Sequence, residues 1–142
     1  MKLVYSKQHW SGYFTYPIYD EKGELTDEEY RVPFTMNINI HEQSFTGTAI
    51  DEESKHLFDN PATIKGFIEK NLFSFIKQYP CYYFINEDGE LAADKTKQHP
   101  EIRYTGFLNE AKNEVVGEWE MGPTPSEEGY WGDFELKKIT HE

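Results

Sequence analysis

The chain predicts an all-β protein: one eight-stranded antiparallel up-and-down barrel over residues 1–142, with its long loops gathered at one end. Three observations predict it. Segments with apolar residues at every second position recur eight times, which is the mark of half-buried strands. Their connections alternate between short and long, and in a meander every second connection lies at the same end. Six of the eight segments carry a glycine on the apolar face, and a small, strongly coiled barrel needs such a repeated pattern in order to close.

The first strand is expected near 10–16, with Trp10, Gly12, Phe14 and Tyr16 on one face. The second, 34–40, is the cleanest, because Phe34, Met36, Ile38 and Ile40 oppose Thr35, Asn37 and Asn39. Residues 44–50 set Phe45, Gly47 and Ala49 inward, and residues 62–68 set Ile64, Gly66 and Ile68 inward. The segment 72–79 is ambiguous in period, since Leu72, Phe75, Ile76 and Tyr79 also fall at helical spacing. Its reading as a strand rests on Glu69, Lys70 and Asn71, a tight hairpin turn in which Asn71 takes the left-handed conformation. The facing of this strand stays open: either Phe73, Phe75, Lys77 and Tyr79 point inward, or Leu72, Ser74, Ile76 and Gln78 do. The last three strands, 102–108, 114–121 and 130–138, place Tyr104, Gly106 and Leu108, then Val115, Gly117 and Trp119, then Tyr130, Gly132 and Phe134 inside.

Short turns are expected at 41–43, 69–71 and 109–113, and long loops at 17–33, 51–61, 80–101 and 122–129, with a single helical turn over 52–58. The elaborated end is where a site is expected, because loops on a rigid scaffold carry function. The inward glycines have two readings that are not exclusive: they permit curvature while aromatic rings from neighbouring layers fill the gap, and they keep a cavity open for one small ligand.

The order of WSGYF, FTMNINI, a hairpin into SFTGT, and glycine-centred strands ending in GEWEM and GYWGDFELKK resembles the calycin-like barrels, the avidin and lipocalin group, and among them the uncharacterised bacterial members most. The likeness covers nearly the whole chain. It implies an eight-stranded meander with a ligand mouth at one end. It does not extend to biotin contacts, because Ala49 stands where an aromatic contact would be expected and Trp131 reads as outward.

Placing inward residues by height gives the candidate ligand-binding set: Tyr16, Asp51, Lys77, Tyr79, Tyr104, Trp119 and Tyr130. Aromatic walls with a few polar tips are how small-molecule pockets are built. Lys77 is the sharpest member, since an inward ammonium needs a partner or a lowered pKa, and Asp51 is the candidate counter-ion. Lys77 can instead snorkel its charge to the mouth.

Composition narrows the class. With 14 Lys and Arg against 26 Asp and Glu, a net charge of −12 repels phosphate backbones and anionic membranes, so neither nucleic acid nor membrane is an expected partner. Of the 26 acids, 17 fall in the four long loops, which predicts an acidic rim that disfavours anionic ligands and favours neutral or cationic ones, unless the loops meet a basic partner; the expected ligand is neutral or weakly polar. No metal or other cofactor is implied: the five histidines lack ligand spacing, Cys81 is alone, and the echo of DEKGEL in NEDGEL has too few carboxylates for a calcium loop. The segment MKLVYSKQHW has no apolar core of signal-peptide length, so the expected location is cytoplasmic.

The expected function is therefore small-molecule binding in a barrel. The alternative is a non-enzymatic interaction module with a filled barrel, and the remaining option an enzyme using Lys77. On the outer face, Tyr13, Phe67, Phe107 and Trp131 with Val116 form a sector suited to covering glycine backbone or to a homo-oligomer contact.

Overall fold

The structure is a computed structural model and describes residues 5–58, 60–122 and 130–139. Eight strands close into one antiparallel barrel: β1 (Tyr5–Tyr19), β2 (Leu25–His41), β3 (Ser44–Asp51), β4 (Ala62–Glu69), β5 (Leu72–Gln78), β8 (Ile102–Leu108), β9 (Glu114–Met121) and β10 (Tyr130–Ile139). Two further strands, β6 (Tyr82–Ile85) and β7 (Leu91–Asp94), form a separate hairpin inside the connection from β5 to β8. Each barrel strand pairs with its neighbour in order, and β1 pairs with β10 from His9↔Ile139 to Phe14↔Phe134 to close the ring.

Two of the expected long loops are more ordered than the sequence predicts. Residues 17–33 are mostly strand: β1 and β2 run on past the barrel as a paired hairpin, with Tyr16↔Tyr30 and Pro17↔Glu29 in register, and only Asp20–Glu24 turning. Polar residues on this extension hide its strand character, because little apolar surface is buried there to impose a period of two. The echo of DEKGEL in NEDGEL is a repeated turn. Asp20 Oδ1 accepts from the Lys22 and Glu24 amides, Asn86 Oδ1 accepts from those of Asp88 and Glu90, and Gly23 and Gly89 take φ of 80° and 78°.

At the opposite end the hairpins are tight. His41 pairs with Ser44 and Glu69 with Leu72, leaving two-residue turns. The left-handed residue in the second is Lys70, at φ 56°, rather than Asn71. In a two-residue hairpin the position with φ > 0 is fixed by the twist of the flanking strands, and here that requirement overrides side-chain preference. The 52–57 segment forms hydrogen-bonded turns, Lys55 N to Asp51 O and Leu57 N to Ser54 O, without a helix.

Strand β5 faces Phe73, Phe75 and Lys77 inward, which settles the facing left open above. The core is rich in aromatic rings, with Trp10, Phe14, Phe34, Phe45, Phe73, Phe75, Tyr104, Trp119 and Phe134 all buried beside aliphatic residues such as Met36, Val115 and Leu136. The glycine ring is part of this packing, and its cavity reading is overturned. A methyl group built at Gly12, Gly47, Gly117 or Gly132 would run into the backbone carbonyl of Glu135, Asn37, Thr105 or Thr15 on the adjacent strand. At Gly66 and Gly106 it would also meet the rings of Phe45, at 2.7 Å, and Phe134, at 2.9 Å. The strands approach where Cβ atoms would collide, and rings fill what remains.

Candidate functional site

Above the glycine layer, toward the long connections, the interior changes character. Lys77 follows Phe75 by two residues on β5, so the same alternation that buries the ring buries the amine, leaving Lys77 1% exposed. Its Nζ lies 4.3 Å from the ring centre of Phe14, 5.0 Å from Tyr79, 5.1 Å from Tyr104 and 5.2 Å from Phe34. Ring faces attract a cation by roughly 0.5 to 2 kcal/mol each, while desolvating an ammonium costs several kcal/mol, so the cage offsets only part of the penalty.

The one close carboxylate is Asp51, at the end of β3 and 3% exposed, with Oδ2 3.9 Å from Nζ. That distance is an ion pair but too long for a hydrogen bond. Asp51 is committed elsewhere: Oδ1 accepts from the Ser54 amide at 2.7 Å and the Ser54 hydroxyl at 2.8 Å, and Oδ2 accepts from the Tyr79 hydroxyl at 2.5 Å. Lys77 Nζ, among the described residues, is the buried side-chain atom left without a hydrogen-bond partner. Burial lowers its pKa to about 8, with the negative charges of Asp51 and Glu53 holding it from falling further.

A second carboxylate completes the cluster. Glu53, in the turn after β3, accepts from the Tyr16 hydroxyl at 3.1 Å and from the Tyr83 hydroxyl at 3.2 Å. Burial raises its pKa against the lowering effect of those two bonds. Burial likewise pushes the phenols of Tyr16, Tyr79 and Tyr104 well above their usual value, so all three are neutral donors at physiological pH. The acidic rim expected from the sequence is therefore smaller by two, since Asp51 is buried and Glu53 half-buried.

The connection carrying β6 and β7 supplies a cover. The Tyr83 ring stacks on His99 at 5.1 Å and meets the edge of Tyr79 at 4.9 Å, while Phe58 stacks on the Tyr79 ring at 5.7 Å. Beside this cover lies a cleft of about 160 Å³ lined by Asp51, Ser54, Phe58 and Tyr79 together with Ala49, Ala62 and other residues of the β3 to β4 connection.

Of the residues singled out from sequence, Tyr16, Asp51, Lys77, Tyr79 and Tyr104 converge on this cluster. Trp119 packs beside it, edge-on to Tyr16 at 5.4 Å, but its indole N–H is used at 2.9 Å by the carbonyl of Thr15. Tyr130 starts β10 opposite Met121, and its side chain lies outside the described residues. Sequence reasoning missed Glu53, Ser54, Phe58, Tyr83 and His99. Glu53, Ser54, Phe58 and His99 lie outside the strands, where no parity assigns a direction, and Tyr83 lies on β6, a four-residue strand of the hairpin outside the barrel. Among the described residues no group of three or more His, Cys, Asp and Glu could hold a metal ion, and no helix is long and apolar enough to cross a membrane.

No family model matches the chain, and no curated protein matches it.

Proposed function

We propose that the protein is a small-molecule-binding barrel of the calycin kind, and that it takes a small neutral or weakly polar ligand at its long-loop end, among Tyr16, Asp51, Lys77, Tyr79, Tyr104 and Trp119. The observation that carries the reading is the Lys77 amine, buried in a ring cage with no hydrogen-bond acceptor among the described residues. Buried polar groups are almost always satisfied, and a ligand with a carbonyl, ether or hydroxyl oxygen supplies the acceptor. Asp51 draws three hydrogen bonds from Ser54 and Tyr79 and none from the amine, so its ion pair with Lys77 at 3.9 Å and the ring cage offset only part of the cost of burying the ammonium. The two nearby carboxylates disfavour an anion, which leaves a neutral ligand as the best electrostatic match.

The test is native mass spectrometry of the purified chain alone and with a panel of small neutral oxygen-bearing compounds. Uptake that disappears in Lys77→Met and survives in Phe107→Ser supports the reading, and a chain that takes up nothing overturns it.

A second reading is favoured by the filled glycine layer: a solid barrel that presents its outer face to a protein partner. Phe107, 63% exposed, faces Val116 across β8 and β9, with Leu72 opposite on β5. Tyr13 does not join this patch, since Arg31 covers its ring at 4.5 Å and its hydroxyl donates to Glu135 at 2.9 Å. Solution mass by light scattering tests the homo-oligomer version, which a strict monomer rules out.

A further inference from the structure

We propose that Lys77 is a covalent capture point, whose amine condenses reversibly with the carbonyl carbon of a small aldehyde or ketone and whose product iminium is held by Asp51 as counter-ion. The inference rests on the ligand-binding reading of the same site and names the ligand's reactive group.

Four features of the geometry point to it. First, Nζ makes no hydrogen bond among the described residues, so the lone pair of the free amine is not engaged. Second, four rings wall the amine in, and excluding water protects an imine from hydrolysis. Third, Asp51 is held in place by Ser54 and Tyr79, so a fixed negative charge stays 3.9 Å from the nitrogen. Fourth, the 160 Å³ cleft that borders Asp51 and Tyr79 has the volume of roughly five water molecules, which suits a carbonyl compound of a few non-hydrogen atoms. Lys77 itself does not line that cleft, so a compound seated there reaches Nζ only through side-chain movement at the cleft floor.

Charge selects among the covalent fates of the amine. Acylation would leave a neutral amide and an unopposed buried Asp51, while addition to carbon dioxide would leave a carbamate anion beside two carboxylates. An iminium keeps one positive charge where the ammonium had it.

The step balances without an oxidant or reductant. The nitrogen lone pair attacks the carbonyl carbon, and the C=O π pair moves to oxygen, which takes up a proton. Nitrogen loses a proton to give a neutral carbinolamine. Departure of that hydroxyl as water, with one proton supplied to it, forms C=N and leaves the protonated imine. Asp51, with the Tyr79 hydroxyl bonded to it, is placed to relay the protons. With a pKa of about 8, roughly a tenth of Lys77 is free amine at pH 7, against less than about a thousandth for an exposed lysine.

The experiment treats the full chain at pH 7 with propanal and sodium cyanoborohydride, which reduces an iminium to a secondary amine that survives digestion. Peptide mapping by mass spectrometry then locates it. The expected result is a modified Lys77 that exceeds exposed Lys65 by about tenfold or more in fraction modified. Mapping the wild-type chain needs no variant to fold. In parallel, ligand-observed NMR follows propan-1-ol, which has the same carbon skeleton and no carbonyl. If propan-1-ol binds and competes with propanal but adducts fall only on exposed lysines, covalent capture is overturned while the binding site stands. If neither compound is retained and Lys77 stays unmodified, both readings fall.

Discussion

Phe75 and Lys77 are separated by about 7 Å along one strand, yet they sit in interiors built in opposite ways. Around Phe75 the ring of Tyr104 stacks at 4.6 Å, the edge of Phe134 meets it at 5.9 Å, and Gly66 lies directly opposite, because no side chain there would fit. Around Lys77 the chain accepts a desolvated charge, two carboxylates and several phenols, held by hydrogen bonds that arrive from the connections. The lower layer is rigid and has no room to change. The upper layer holds a buried amine that has an ion-pair partner but no hydrogen bond among the described residues. Such a division is expected of a scaffold below and a site above, since strained or poorly satisfied groups collect where function requires them.

The largest effect should come from breaking the lower layer. Gly12→Ala drives a methyl group into the backbone at Glu135 and Leu136, which cannot rotate out of the way, so a loss of about 3 kcal/mol or more in urea unfolding, or failure to fold, is expected. Near-wild-type stability would mean that the strands have slack and the contrast is false. Next is Asp51→Ala, which strands the two Ser54 donors, the Tyr79 hydroxyl and the Lys77 charge together. The expected loss is about 3 to 4 kcal/mol, reduced when Lys77 is methionine in the same chain, and a double-mutant cycle measures that coupling.

Lys77→Met should act in the other direction, raising stability at pH 7 by about 1 kcal/mol while abolishing ligand uptake. Its pH dependence sharpens the point. The folded-state pKa of about 8 lies below the unfolded value near 10.4, so between those limits the unfolded chain binds more protons and the wild type gains stability as pH rises. Measured against Lys77→Met, that gain should be on the order of 3 kcal/mol between about pH 7 and pH 10, and a flat difference would mean that the amine is not desolvated. The smallest effect belongs to the outer wall: Phe107→Ser should change monomer stability by less than about 0.5 kcal/mol, and any drop in solution mass would show that Phe107 is a subunit contact.

Most of the barrel was legible because alternation and turn spacing report which face of a strand is buried, and a strand with one buried face has little freedom of register. The inward direction of Lys77 followed from its parity with Phe73 and Phe75 once the flipped alternative was removed. The glycines were legible as a ring but not in meaning, since a missing side chain looks the same from sequence whether the space goes to a ligand or to a neighbouring strand. Glu53 and Tyr83 were beyond reach for a different reason. They enter the cluster through turns and the β6–β7 hairpin, whose placement depends on tertiary packing and not on any local period. The β1–β2 extension escaped as well, because residues such as Asp27, Glu28 and Glu29 are exposed and carry no apolar signal.

The pairing of β1 with β10 also fixes an order in time. A chain made from its N-terminus has β1 and β2 hydrogen-bonded long before β10 exists, so the outer edge of β1 waits for the last strand to arrive. Until then the barrel is an open, curling sheet, and Phe14 on β1 stands at its margin. The amine of Lys77, which depends on Phe14 for its nearest wall, is then still hydrated. Pairing of β10 with β1, along a seam whose two sides carry Gly12 and Gly132, is what closes the ring of strands around that charge.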